Sequence, residues 1–152
     1  MVTKVQIKFS SKTKIKEYVI DEPVIKAGSE LVWIWVVIEP TKKEILSFYI
    51  SKERNMFVAE RVLSEVVNKY GLHSVSSDGG TWYPQACKFL NLNHHIHSSF
   101  EKSIIERTMQ YIKDRMEIFD DYYPCKKNKC NLQHVKQWFK LFVYEHIEIM
   151  SN

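Results

Sequence analysis

EYVIDEPVIKAGSELVWIWVVIEPTKKEILSFYI, residues 17–50, is the stretch on which the fold turns. Glu17–Lys26, Leu31–Ile38 and Ile45–Ile50 each have strand character. The links Ala27-Gly28-Ser29 and Pro40-Thr41-Lys42 are short enough for antiparallel turns. The middle stretch, LVWIWVVI, is apolar at every position, as expected of a central strand covered on both faces. The segment therefore predicts a three-stranded meander.

Beyond Ile50 the period changes. Met56, Ala59, Leu63, Val66 and Tyr70 recur at helical spacing, with Val62 and Val67 beside them and Gly71 as a C-cap. Leu72–Ser76 predicts a short fourth strand running into Asp78-Gly79-Gly80. Thr81–Leu90 predicts a second helix and His94–His97 a brief fifth strand. Ile105, Met109, Ile112, Met116 and Phe119 stripe a long third helix with Ser103 as its cap. Leu132, Val135, Phe139, Phe142 and His146 stripe a last one, read as core, with a dimer seam as the alternative. The sum is an α/β domain, a mixed five-stranded sheet flanked by helices. That is the element order of a ribonuclease H-like fold, with other α/β layouts of this length left open.

Composition narrows the class. The 152 residues suit one domain, and 45% hydrophobic with 26% charged is ordinary globular material. The longest apolar run has eight residues, against the roughly 20 that span a bilayer. No charged-then-apolar leader opens the chain. A membrane protein, a secreted disulfide scaffold and a repeat array are excluded as first readings. The net charge of +4 permits a polyanionic partner without requiring one. Lys4, Lys8, Lys12, Lys14 and Lys16 make a basic arm, and Lys126, Lys127 and Lys129 a second cluster. Solvated surface lysine is the plainer reading of both.

Cys125, Cys130 and His134 lack the fourth ligand of a structural zinc, so these thiols and Cys87 read as reduced cysteines of a cytoplasmic protein. His94, His95 and His97 would leave a zinc two ligands short and read as locally hydrogen-bonded histidines. Trp33 and Trp35 read as core. Trp82, just after the Asp-Gly-Gly turn, stays open as a residue that stacks on bases.

Three carboxylates stand out. Asp21 lies in a mostly apolar strand, where a carboxylate costs free energy unless something compensates it. Asp78 lies at the carboxyl end of a strand, where open α/β sheets build sites. Glu106 opens a helix facing back across the sheet. Singly, each has a structural reading: an edge residue, a turn former and a first-turn helix acid. If the first and fourth strands are neighbours, Asp21 and Asp78 converge and Glu106 reaches them. An all-oxygen set of that kind suits a hard divalent cation.

VIDEPVIK, VSSDGGTWYP and SIIERTMQYIKDR, in that order, resemble the three catalytic segments of DDE transposases of prokaryotic insertion sequences. The likeness is to the insertion sequence six family in particular, which shares its core fold with retroviral integrases, and it covers about residues 17–125. It implies that Asp21, Asp78 and Glu106 are the catalytic, metal-binding triad. It implies that Lys113, seven residues after Glu106 and on the same helix face, contacts terminal DNA. Gln110 shares that face; Arg107 and Arg115 are further phosphate candidates, with solvated helix residues the plainer reading of each.

The implied chemistry is phosphoryl transfer with two Mg²⁺ (or Mn²⁺) ions about 3.5–4 Å apart, one activating the attacking hydroxyl and the other stabilising the leaving oxygen. Element ends are nicked and then joined to target DNA. The implied partners are element-end and target DNA and a homodimer or larger assembly, with no membrane and no small-molecule cofactor. The implied place is the prokaryotic cytoplasm, associated with the nucleoid. Residues 1–152 would be a single catalytic domain without an amino-terminal helix-turn-helix domain. The alternative is a truncated, inactive remnant that only binds DNA or partner subunits. A ribonuclease H-like nuclease of another kind would need a fourth acid near the first strand, with Glu22, Glu39 and Asp114 as candidates.

Overall fold

In the computed structural model, residues 3–4, 14–27 and 30–122 are described, the side chains of 3, 4, 26, 27, 30 and 115–122 excepted. The spine of the sheet is β4 (Glu30–Glu39), numbered after β1 (Thr3–Lys4), β2 (Tyr18–Asp21) and β3 (Val24–Ala27). Its alternation builds two cores. Val32, Ile34, Val36 and Ile38 point to one face and Trp35 and Val37 to the other, all fully buried. A strand apolar at every position thus needs helices on both sides, and it has them.

β4 pairs antiparallel with β5 (Glu44–Ser51) on one side and with β2 and β3 on the other. β2 in turn pairs parallel with β6 (Val75–Ser77), and β6 parallel with β7 (His94–Ile96). The order is β1-β5-β4-β2-β6-β7, a mixed sheet. The five expected strands are all present, but the sheet has seven strand segments. One addition is the two-residue β1 at the edge. The other arises because the expected strand Glu17–Lys26 is divided at Glu22-Pro23 into β2 and β3. The register nevertheless runs on unbroken, from Val19↔Ile38 through Asp21↔Val36 and Val24↔Trp33 to Ala27↔Glu30. Pro23 has no N–H to give the ladder, while its carbonyl still accepts from Ile34 N at 2.9 Å.

Helix α1 (Met56–Tyr70) begins at Asn55, whose side chain accepts from Val58 N at 3.1 Å, and ends at Gly71, whose φ of 95° a residue with a Cβ rarely adopts. α1 buries Val58, Ala59, Val62, Leu63 and Val66. With Tyr83, Ala86 and Cys87 of α2 (Trp82–Phe89), these residues cover the Trp35 face. α3 (Ser99–Tyr122) covers the other face with Ile104, Ile105, Met109 and Ile112.

Several boundaries differ from expectation by a residue or more, among them the starts of β6, α2 and α3. β6 starts at Val75 rather than Leu72, because Leu72 is 62% exposed in the loop after Gly71. α2 starts at Trp82 rather than Thr81. α3 starts at Ser99, so Ser103 lies inside the helix. The cap is a reciprocal box in which Ser98 Oγ accepts from Glu101 N (3.2 Å) and Glu101 Oε1 accepts from Ser98 N (2.9 Å). The helix expected around Leu132–His146, the cluster Cys125, Cys130 and His134, the lysines 126, 127 and 129, and most of the basic arm lie outside the described residues.

Candidate active site

The parallel pairing of β2 and β6 aligns Tyr18 with Val75 and Val19 with Ser76. Carried two residues further, that register sets Asp21, the last residue of β2, beside Asp78, the first residue after β6. Both carboxylates therefore stand at the carboxyl ends of adjacent parallel strands, where open α/β sheets hold ligands. Ligand oxygens of Asp21, Glu22 and Asp78 all lie within 4.8 Å of one another.

The turn that follows fixes Asp78. Its Oδ1 accepts from Gly80 N at 3.0 Å, and Gly79 N donates to Ser77 Oγ at 3.1 Å. Gly79 has φ 92°, and a Cβ there would lie 2.8 Å from Ile96 Cδ1, so the position demands glycine. The structural and functional readings of Asp78-Gly79-Gly80 are thus compatible: the turn is what presents the acid.

Glu22, which from the sequence reads only as a candidate fourth acid, joins Asp21 and Asp78. Adjacent residues of a strand face opposite ways, and Glu22 follows Tyr18 and Ile20 onto the face that Tyr83 covers, while Asp21 follows Val19. Glu22 is buried, and its Oε2 accepts a hydrogen bond from the hydroxyl of the fully buried Tyr83 on α2. Tyr83 is itself packed edge-on against Trp35, with ring centroids 6.1 Å apart. Of the other two fourth-acid candidates, Glu39 is at the opposite end of the strand pair, where Oε2 accepts from Lys42 N at 2.7 Å. Asp114 accepts from Gln110 on its own helix.

Burial pushes Asp21's pKa up, and the charges of Asp78 and Glu106 add to the effect. The Glu22 N–H, donating to Asp21 Oδ1 at 2.9 Å, and the Lys113 ammonium oppose it. Burial and the charges of Asp21 and Asp78 raise Glu22 to about 7, against the Tyr83 hydroxyl and the Arg54 charge. The group carries more negative charge than its own surroundings compensate. Its donors are all hard oxygens, which fits a divalent cation such as Mg²⁺.

The remaining expected site residues are on α3 and α2. Glu106 is exposed, its Oε1 3.9 Å from Lys102 Nζ, and stands outside the compact trio, although its charge reaches Asp21. Lys113 is exposed and also reaches Asp21. Gln110 Nε2 donates to Asp114 Oδ1 at 2.7 Å, and Arg107 is exposed. Arg115 is on α3 with its side chain outside the described set. Trp82 is half-buried at the start of α2, its ring lying against the Arg54 guanidinium.

The three histidines find separate partners. His94 Nε2 bonds Ser77 Oγ at 2.6 Å, His97 Nδ1 bonds Ser76 Oγ, and His95 Nε2 lies 3.0 Å from Glu101 Oε2 and 3.4 Å from Glu17 Oε2. They do not converge with one another.

A ribonuclease H-like sheet with an acidic group at the ends of its parallel strands is the frame of the polynucleotidyl-transferase enzymes. The match to the DDE domain family of IS240-type transposases spans residues 15–142, and the chain belongs to that family. This agrees with the transposase likeness of its three segments. An uncharacterized protein of Methanocaldococcus jannaschii, MJ0017, is 30% identical over 128 residues, covering 82% of this chain. The chain spans 57% of that relative's length.

Among solved structures, the simian T-cell lymphotropic virus intasome in complex with PP2A regulatory subunit B56 gamma matches with a TM-score of 0.63 at 14% identity, over 92% of this chain and 51% of that one. The catalytic core domain of BIV integrase matches with a TM-score of 0.57 at 15% identity, over 90% and 99%. The HTLV-2 integrase catalytic core in complex with magnesium matches with a TM-score of 0.59 at 13% identity, over 81% of each chain. At these identities the likeness is one of fold, and it bears out the expected α/β, ribonuclease H-like class. Among the described residues no helix is long and apolar enough to cross a membrane.

Proposed function

We propose that this chain is the catalytic domain of a transposase, nicking the ends of an insertion element and joining them to target DNA in the cytoplasm. Asp21, Asp78 and Glu106 are its acid triad. The observation that carries the reading is the convergence of Asp21 and Asp78, from separate segments, at the ends of β2 and β6. Asp21 and Asp78 would hold divalent cations, two Mg²⁺ or Mn²⁺, with Glu22 behind them and Glu106 as the third acid on α3. The magnesium in the HTLV-2 integrase core supports that choice of ion. When bound, such cations supply Lewis-acid activation of the attacking hydroxyl and charge neutralisation at the leaving oxygen.

The chain's own residues do the positioning. Tyr83 anchors the Glu22 carboxylate, and the Gly79 turn presents Asp78. Lys113, Gln110, Arg107 and Arg115 line α3 as contacts for the backbone of element-end DNA, and Trp82 belongs to the same DNA-facing rim. Target DNA is the second substrate. A homodimer or larger assembly brings two element ends together, a reading supported by the dimeric and trimeric forms of the HTLV-2 core.

The test is nicking and strand transfer on plasmid DNA with Mg²⁺ or Mn²⁺, wild type against Asp78→Asn. Activity in the wild type that vanishes in the variant supports the reading. Equal silence from both, with DNA still bound, would make the chain an inactive DNA-binding remnant.

A further inference from the structure

Arg54 sits in the link between β5 and α1, immediately before the Asn55 cap, and is exposed. Its guanidinium lies 3.9 Å from the centroid of the Trp33 ring and 4.5 Å from that of Trp82. Trp33 comes from β4, paired with Val24 just beyond the Pro23 break, and Trp82 from the start of α2. Both indoles are half-buried. Gly80, which ties the Asp78 turn, leaves the Trp82 ring its place: a Cβ there would lie 2.6 Å from Trp82 Cζ2. The sequence DGGTW therefore sets both an acid of the site and one wall of the arginine clamp.

A guanidinium offers two different surfaces. Its faces stack on aromatic rings, and its edges carry five N–H donors in a fork that matches a phosphate. Here two indole rings lie over the guanidinium, and among the described residues it forms no ion pair with a carboxylate. An exposed arginine normally loses much side-chain freedom on binding, and two indole walls remove part of that cost beforehand. The charge is also adjacent to the acidic group, close enough to act on Glu22.

We propose that Arg54, clamped between Trp33 and Trp82, binds a backbone phosphate of the DNA at the rim of the acidic site. Trp82 thereby serves DNA through the arginine, as a wall of the clamp, and does not stack on a base. This inference rests on the proposed function and adds to it a binding residue outside the three acidic segments.

The test measures fluorescence anisotropy of a labelled DNA duplex titrated with the full chain, without divalent metal, over a NaCl series. Wild type, Arg54→Gln and Arg54→Lys are compared after circular dichroism has confirmed that each is folded. Losing one phosphate contact should weaken Arg54→Gln by about 10-fold at low salt and make the log–log salt slope shallower by about 1. Arg54→Lys should keep the wild-type slope but bind more weakly, since an ammonium lacks the fork. Wild-type affinity and slope in Arg54→Gln would overturn the clamp alone. A wild type that binds no duplex at any salt would overturn the clamp and the proposed function together. Should Arg54→Gln not fold, Arg54→Lys decides: full wild-type affinity there would contradict a role for the fork.

Discussion

Two acidic groups flank the same sheet, and they are compensated by different partners. Glu17, His95 and Glu101 gather where β7 meets the start of α3. An imidazole stands between the two carboxylates, and Glu101 is occupied in the cap with Ser98. Asp21, Glu22 and Asp78 gather at the ends of β2 and β6 with one tyrosine hydroxyl, two backbone N–H groups and the more distant charges of Lys113 and Arg54. The first group has an imidazole and a helix cap among its partners. Each group holds one carboxylate raised to about 7, Glu17 and Glu22, but the second has no imidazole and no helix cap among its described partners.

Substitutions should divide along the same line. Asp21→Asn or Asp78→Asn should reduce metal-dependent nicking by more than about 100-fold, beyond what loss of an outer-shell partner costs a metal site. Glu17→Gln should leave the rate within about 2-fold, since one exposed or half-exposed pair contributes little. A Glu17→Gln enzyme as dead as Asp78→Asn would erase the distinction.

Stability against pH gives the next largest effect. Glu22 rises from an ordinary 4.5 to about 7 in the folded chain. The folded state therefore holds its proton more tightly than the unfolded chain does. The associated stability is present below about 4.5 and is lost as pH rises through about 7, up to about 3 kcal/mol for this one group. Glu17, raised to about 7 chiefly by burial, acts with the same sign. Urea denaturation from pH 4 to 8 should show this decline in the metal-free protein. Glu22→Gln should flatten part of it. Saturating Mg²⁺ should offset the share of the Asp21 group and leave the share of Glu17. A flat profile without metal would count against both raised values.

Tyr83→Phe removes the hydroxyl from the buried Glu22 carboxylate and should cost about 1–3 kcal/mol by urea denaturation at pH 8. Glu22→Gln combined with Tyr83→Phe should cost less than the two single effects added, because the pair is one interaction. Ser98→Ala, on the His95 side, should cost about 1 kcal/mol as an ordinary cap loss and leave nicking unchanged.

What could be read in the sequence follows the same physics. The meander and the two-faced core were legible because LVWIWVVI is apolar throughout, and from Val32 to Ile38 the structure sends alternate residues into two cores. Asp78 was legible because Asp-Gly-Gly marks both a turn and a strand end. The partnership of Asp21 with Asp78 required only that the first and fourth strands pair, which β2 and β6 do. Glu22 was not legible as a companion of Asp21, because strand alternation sets neighbours on opposite faces. Its partner Tyr83 lies on a separate helix, and no periodicity announces a contact of that range. The apolar stripe from Ile105 points to Ser103 as the start of α3, whereas Ser98 and Glu101 spell the capping box that the helix uses. Helical spacing put Glu106 and Lys113 on one face, but spacing alone does not say how far a side chain reaches. In the structure Glu106 leans towards Lys102 and remains outside the trio.

The most direct experiment titrates Mn²⁺ into the full chain and follows free ion by electron paramagnetic resonance, comparing wild type with Asp78→Asn and Glu101→Gln. The expected result is binding in the wild type that Glu101→Gln retains and Asp78→Asn loses. Binding that survives in Asp78→Asn and disappears in Glu101→Gln would contradict it, moving the metal to the group around His95.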